Sequence, residues 1–305
     1  MILKNRILGK TLVFSLCFSS LPSWARVHEF ETARLKSTGG TGIGSVLLNE
    51  SVVLNPAPLA VFTSATATYQ RENIELKDRN PQHDNLPNSF PKQTHTNAII
   101  IAEGSSKLKG AVGYIDQAEG MDKRQRVSSS VGAHITDTTA IGLNYKFTKE
   151  TSMAENNGNR YDYNSVGFGL MHFYSNNLTI GLMMDDLAKS KGKNTKGGVG
   201  FQYIAQDLVT VMVDVTSNWE KNLSQYMSYR AGVQFKLFSE LYARTGMFAD
   251  EMNQEKGVGF GGGWVGPKLG LEFGMKVFKA KENPSYSLLT GESQKELAMS
   301  ISIIF

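Results

Sequence analysis

KELAMSISIIF, residues 295–305, decides the fold. Side chains of a strand alternate between its two faces, so Leu297, Met299, Ile301, Ile303 and Phe305 share one face and Ala298, Ser300, Ser302 and Ile304 the other. One face is greasy and the other small or polar. The sequence ends on Phe305, so such a strand is held by pairing with another strand rather than by a tail packed over it.

Working outward, the same pattern recurs. Strands are predicted at 59–74, 95–102, 108–117, 123–135, 140–148, 160–173, 178–187, 196–205, 208–219, 226–237, 241–249, 257–265, 268–279 and 295–305, about fourteen in all. Each is near the length that crosses a bilayer at a tilt. Within 226–237, Met227, Tyr229, Ala231, Val233, Phe235 and Leu237 alternate with Ser228, Arg230, Gly232, Gln234 and Lys236. Within 268–277, Leu269, Leu271, Phe273, Met275 and Val277 alternate with Gly270, Glu272, Gly274 and Lys276. A soluble sandwich turns the greasy face inward and a membrane barrel turns it outward, so alternation alone fits both.

Connection lengths favour the barrel. The joins 75–94, 149–159, 188–195 and 280–294 are long and polar, and they alternate with short joins at 103–107, 136–139, 175–177, 206–207, 238–240 and 266–267. Only 118–122 is shorter than the rule asks. That is the signature of a barrel with one end facing outside and the other the periplasm. Prolines fall in the joins or ahead of the first strand, where a missing N–H harms no ladder. Trp219 and Trp264 are placed at opposite membrane interfaces, with Tyr161, Tyr163, Tyr174 and Tyr226 sharing that role.

Residues 1–25 read as a cleaved export signal: Lys4, Arg6 and Lys10, an apolar centre, then Ser23-Trp24-Ala25. Its three cations taken from the 32 Lys+Arg leave 29 against 28 Asp+Glu, so the basic balance implies no nucleic-acid partner. The sole cysteine is Cys17, within the leader, which leaves the mature chain without disulfides or thiolate metal sites. No apolar run is long enough for a spanning helix, so membrane entry requires a closed barrel. The predicted location is the outer membrane of a Gram-negative bacterium.

Catalysis finds little support. His172 and Ser175 are three apart, on opposite faces of a strand, His134 and Thr136 meet at a turn, and Asp185 and Asp186 diverge. His28, His83 and His95 lack metal-ligand spacing, so neither a metal nor a cofactor is predicted. Arg230, Gln234, Lys236, Glu272 and Lys276 are candidate lumen-facing groups; a cation among them suits a carboxylate head group, or the set pairs across the lumen. Lys189, Lys191, Lys193 and Lys196 form a basic loop able to meet lipopolysaccharide phosphates or simply to stay solvated, and 75–94 offers a surface for a protein partner.

Ahead of the strands lies KSTGGTGIGSVLLNESVVLNPAPLA, residues 36–60. Gly39, Gly40, Gly42 and Gly44 permit close backbone packing or positive φ, but no strand precedes them and their spacing does not fit a phosphate cradle. The apolar stretch 46–54, with Asn49-Glu50 embedded, ends on Asn55-Pro56-Ala57. This order, signal, glycines, apolar stretch and Asn-Pro-Ala ahead of the first strand, resembles the FadL-type outer-membrane transport proteins and their PorV-like relatives. The resemblance implies a fourteen-stranded barrel, an N-terminal hatch in the lumen anchored at Asn55, Pro56 and Ala57, and passive uptake of hydrophobic, fatty-acid-like compounds without catalysis. Leu54 and Pro58 depart from the aromatic and glycine that usually flank the motif; the fixed φ of Pro56 and the self-bonding tendency of Asn55 favour the hatch over the alternative, a merely rigid lead into the first strand. PorV-like relatives imply docking of secreted partners instead. The domain boundaries are therefore 1–25 signal, 26–58 plug and 59–305 barrel.

Overall fold

A computed structural model describes residues 28–77, 93–105, 109–119, 122–151, 159–190, 195–219, 226–251, 254–280 and 293–305. The leader, the loops 78–92 and 281–292, Lys191 and Lys193 lie outside the described residues. The first fourteenth of the wall and the last meet: the strands form one closed antiparallel barrel in sequence order. They are β1 (Ala65–Lys77), β2 (Gln93–Glu103), β3 (Lys109–Glu119), β4 (Asp122–Thr136), β5 (Thr139–Thr151), β6 (Arg160–Phe173) and β7 (Leu178–Asp185). The circle continues with β8 (Lys196–Ala205), β9 (Val209–Asn218), β10 (Met227–Lys236), β11 (Leu241–Asp250), β12 (Glu255–Val265), β13 (Leu269–Ala280) and β14 (Ser293–Ile304). Closure is by β1 on β14, from Thr66 opposite Ile304 to Lys77 opposite Ser293. A closed sheet leaves no edge, which is what lipid demands of backbone polar groups.

The sheet is turned inside out. Along β14, Met299, Ile301 and Ile303 are exposed while Glu296, Ala298, Ser300 and Ser302 are buried. On β4, Arg124, Arg126, Ser128 and Ser130 are buried while Val127 and Val131 are exposed. Apolar surface faces outward and polar side chains fill the inside, the reverse of a soluble sandwich. Every pairing runs in unbroken register except for one shift between His134 and Thr136 at the end of β4. Among the described residues, no helix is long and apolar enough to cross a membrane.

Three sequence expectations are corrected or resolved. β1 begins at Ala65, not 59, because Ala57–Val61 forms a 3₁₀ turn with Ala57, Leu59 and Ala60 all buried, a burial no alternating strand allows. The apolar stretch 46–54, which the sequence leaves open as a short helix or a strand, carries a short 3₁₀ turn, Asn49–Val52. Tyr163 is buried and donates to Glu150 Oε2 at 3.0 Å, with the Tyr161 ring packed beside it, so both face inward. Among the described residues, the exposed tyrosines are Tyr69, Tyr114, Tyr145, Tyr174, Tyr203 and Tyr229. Trp219 and Trp264 lie on the outer surface near opposite strand ends.

Candidate functional site

Residues 28–62 occupy the inside of the barrel. Phe30, Leu48, Val52 and Leu59 pack with Ala98, Ile100, Ala102, Ala111 and Ile115 of β2 and β3. The one helix of this segment, α1 (Ala33–Ser37), lies against β11–β14. Thr32 caps it by accepting from Leu35 N at 3.2 Å.

The wall receives the segment on glycines. A Cβ on Gly142 would come within 2.6 Å of Ala57 N, one on Gly200 within 2.6 Å of Gly44 N, and one on Gly132 within 2.8 Å of Leu59 Cβ. On the far side Gly246 and Gly274 meet the carbonyls of Thr38 and Ala33 just as closely. Wall and segment thus touch backbone to backbone, a contact that any side chain would prop open. Of the glycines singled out in the segment, Gly39 and Gly40 take positive φ, +67° and +82°, and make its tight turn. Gly42 and Gly44 are wedged against Leu47 and Gly200.

Asn55 ties the segment to itself and to the wall. Its Nδ2 donates to Ile43 O at 2.8 Å and to Leu170 O of β6 at 3.3 Å, while its Oδ1 accepts from Ala57 N at 3.0 Å. Pro56, with φ −77°, opens the 3₁₀ turn. Opposite, Asp214 Oδ2 accepts from Gly42 N at 2.6 Å and Ile43 N at 3.0 Å, and Arg230, its cross-strand neighbour, donates to Gly40 O at 2.8 Å. Two adjacent wall side chains clasp the glycine turn.

Ion pairs hold the first part of the segment. Lys36 bridges Glu72 of β1, at 2.8 Å, and Glu296 of β14, so a buried cation spans the barrel's closing seam. Burial opposes its charge, yet Glu296, Glu72 and Glu31 outweigh burial and hold the ammonium above its ordinary range. Glu31 meets Lys276 at 2.8 Å and Arg230 at 3.8 Å. Burial alone would raise this carboxyl; Lys276, Arg230 and Lys36 prevail and hold it near 2. Glu29 pairs with Arg126 at 2.9 Å and Arg124 at 3.6 Å. Glu50 accepts from Thr32 Oγ1 at 2.7 Å, and burial pushes its carboxyl up against the pull of Arg34.

The five candidate lumen groups all stand on the inner face, and most are engaged. Lys276 pairs with Glu31 and lies 4.2 Å from the Phe248 ring centre. Glu272 accepts from Arg244 Nη2 at 3.0 Å. Gln234 Oε1 accepts from both Arg34 and Arg244. Lys236, nearer the short turns, has no hydrogen bond or ion pair through its ammonium among the described residues. Sequence reasoning missed Asp214, Glu31, Lys36 and the wall glycines; inward parity of Gly, Asp and Glu within otherwise apolar strands was the available signal. Elsewhere, His172 Nδ1 lies 2.9 Å from Thr139 Oγ1, Ser175 accepts turn amides, and Asp185 pairs with Lys146.

No protein-family model matches the chain, and no curated protein matches it. Solved structures do. The Ralstonia pickettii toluene transporter TbuX superposes with a TM-score of 0.68 at 10% identity, over 90% of this chain and 98% of that one. The fold is that of the FadL-type transport barrels. The monoaromatic hydrocarbon channel CymD matches this FadL-type fold with a TM-score of 0.66 at 10% identity, over 90% of this chain and 96% of that one. A Pseudomonas aeruginosa FadL homologue gives 0.55 at 10% identity, over 90% and 98%.

Proposed function

We propose that this barrel admits hydrophobic small molecules passively across a Gram-negative outer membrane, with residues 28–62 as its hatch. The carrying observation is the segment seated within a closed FadL-type wall and clasped by Asn55, Asp214 and Arg230. With the strands closed into one circle, a solute entering from the long-loop end passes when the segment shifts. No chemistry is required of the protein, since the solute's own concentration gradient supplies the drive. The solute class spans monoaromatic hydrocarbons, after the neighbours' described cargo, and fatty-acid-like compounds.

Mass spectrometry of small molecules retained on gentle extraction tests this. A discrete hydrophobic compound, enriched over bulk lipid and lost in Asp214→Ala, is the expected result. Bulk lipid alone would transfer support to a second reading, a barrel that docks secreted or surface partners, including lipopolysaccharide, through its long-loop end.

A further inference from the structure

Near the short-turn end of β10 and β11, positive charge outnumbers its partners. Arg34 Nη2, on α1, donates to Gln234 Oε1 at 3.2 Å, and Arg244 Nε donates to the same oxygen at 2.8 Å. Two guanidiniums therefore share one neutral acceptor. Each carries five N–H groups and repels the other. Arg34 has no ion pair among the described residues. Arg244 is 4% exposed; its Nη2 reaches Glu272, but its Nη1 has no acceptor. Lys236, the next inward position beyond Gln234 and opposite Tyr242, contributes a third, unengaged cation.

The acids facing this cluster are Glu272 and Glu50. Glu272 is committed to Arg244, and Glu50 accepts from Thr32 on the segment. Arg34, Gln234 and Lys236 are part-exposed, so the cluster is reachable from the short-turn mouth. A forked guanidinium suits a planar or tetrahedral group with several oxygens, and two guanidiniums suit it better than one amide oxygen does.

We propose that this mouth binds an oxyanion, carboxylate or phosphate, which bridges Arg34 on the segment to Arg244 and Lys236 on the wall. Gln234 then yields the oxygen that the two guanidiniums share. The anion fastens the segment in its seat, so its concentration at the short-turn side sets how readily the segment moves. This rests on the charge arrangement and stands apart from whether the barrel carries hydrophobic solutes.

The test is isothermal titration calorimetry of the full solubilised chain with inorganic phosphate and, separately, with decanoate below its micelle concentration. The expected result is saturable one-site binding with Kd of about 1 mM or tighter. Arg34→Gln weakens it at least tenfold, and amide exchange of residues 33–45 slows with anion in the wild type only. Lys236→Gln, which removes no side-chain hydrogen bond or ion pair among the described residues and so leaves folding intact, also weakens binding. Binding of phosphate alone identifies a free anion, and of decanoate alone a solute head group. Absence of saturable binding of both probes, or binding in Lys236→Gln and Arg34→Gln as tight as in the wild type, overturns the proposal.

Discussion

Replacing Glu31 by Gln removes the charge at the centre of the segment's ion-pair cluster while keeping its size. In the folded chain this carboxyl is held near 2 against an ordinary 4.5. A displacement of that size corresponds to about 3 kcal/mol of preference for the seated, ionised state. Leaving Lys276 and Arg230 uncompensated adds in the same direction. The expected loss is therefore about two orders of magnitude in the closing equilibrium of the segment. Hydrogen exchange of amides 33–45 reads that equilibrium directly. The sign with pH follows from the depressed value. Glu31's contribution is fully present above about pH 4.5 and fades as pH falls towards 2, so the wild-type and Glu31→Gln exchange rates converge only in that window. A Glu31→Gln change of less than about threefold at pH 7, or convergence already above pH 5, would refute the reasoning.

Other perturbations separate the parts. Gly246→Val places side-chain carbons on the Thr38 carbonyl, so amides of the segment exchange faster while the barrel's heat-modifiable gel migration persists, at an overpacking cost of about 1–3 kcal/mol. Lys36→Met leaves Glu72 and Glu296 facing each other across the β1–β14 seam; thermal unfolding should register a loss of about 3–5 kcal/mol. Ile301→Arg sets a charge on the outer face between Tyr69 and Leu271, and folding into bilayers should weaken by about 2–4 kcal/mol, whereas a neutral result would contradict the outward assignment.

Much of the wall was legible because strand parity is a local property. Leu297, Met299 and Ile301 against Ala298, Ser300 and Ser302 state which face is which without any knowledge of partners. Parity also held the correction to Tyr161 and Tyr163: they share a face with Ser165 and Gly167, opposite Val166 and Phe168, but residue type drew them to the interface. The start of β1 was misread because Leu59, Ala60 and Val61 are apolar in sequence, as a strand would be, and only the consecutive burial of Leu59 and Ala60 shows a compact turn. The seat of the segment was illegible. Gly42 meets Asp214 and Lys36 meets Glu296 across most of the chain, and nothing local in the sequence marks one residue as the other's partner. The Asn55-Pro56-Ala57 motif pointed to an anchor, yet the wall glycines that accept it lie on strands far along the sequence.

The most direct test of the central claim is uptake through a barrel whose segment can be fixed and released. Ser130 Oγ donates to the Ser51 carbonyl at 3.0 Å, so Ser51→Cys with Ser130→Cys joins the segment to β4, and the only native cysteine is Cys17. Radiolabelled toluene and oleate would be followed into Gram-negative cells lacking their own hydrophobic-uptake barrels. The account predicts uptake above vector controls with the pair reduced, abolished on oxidation and restored by reductant. Uptake that is unchanged by oxidation, or never above the control, would contradict it.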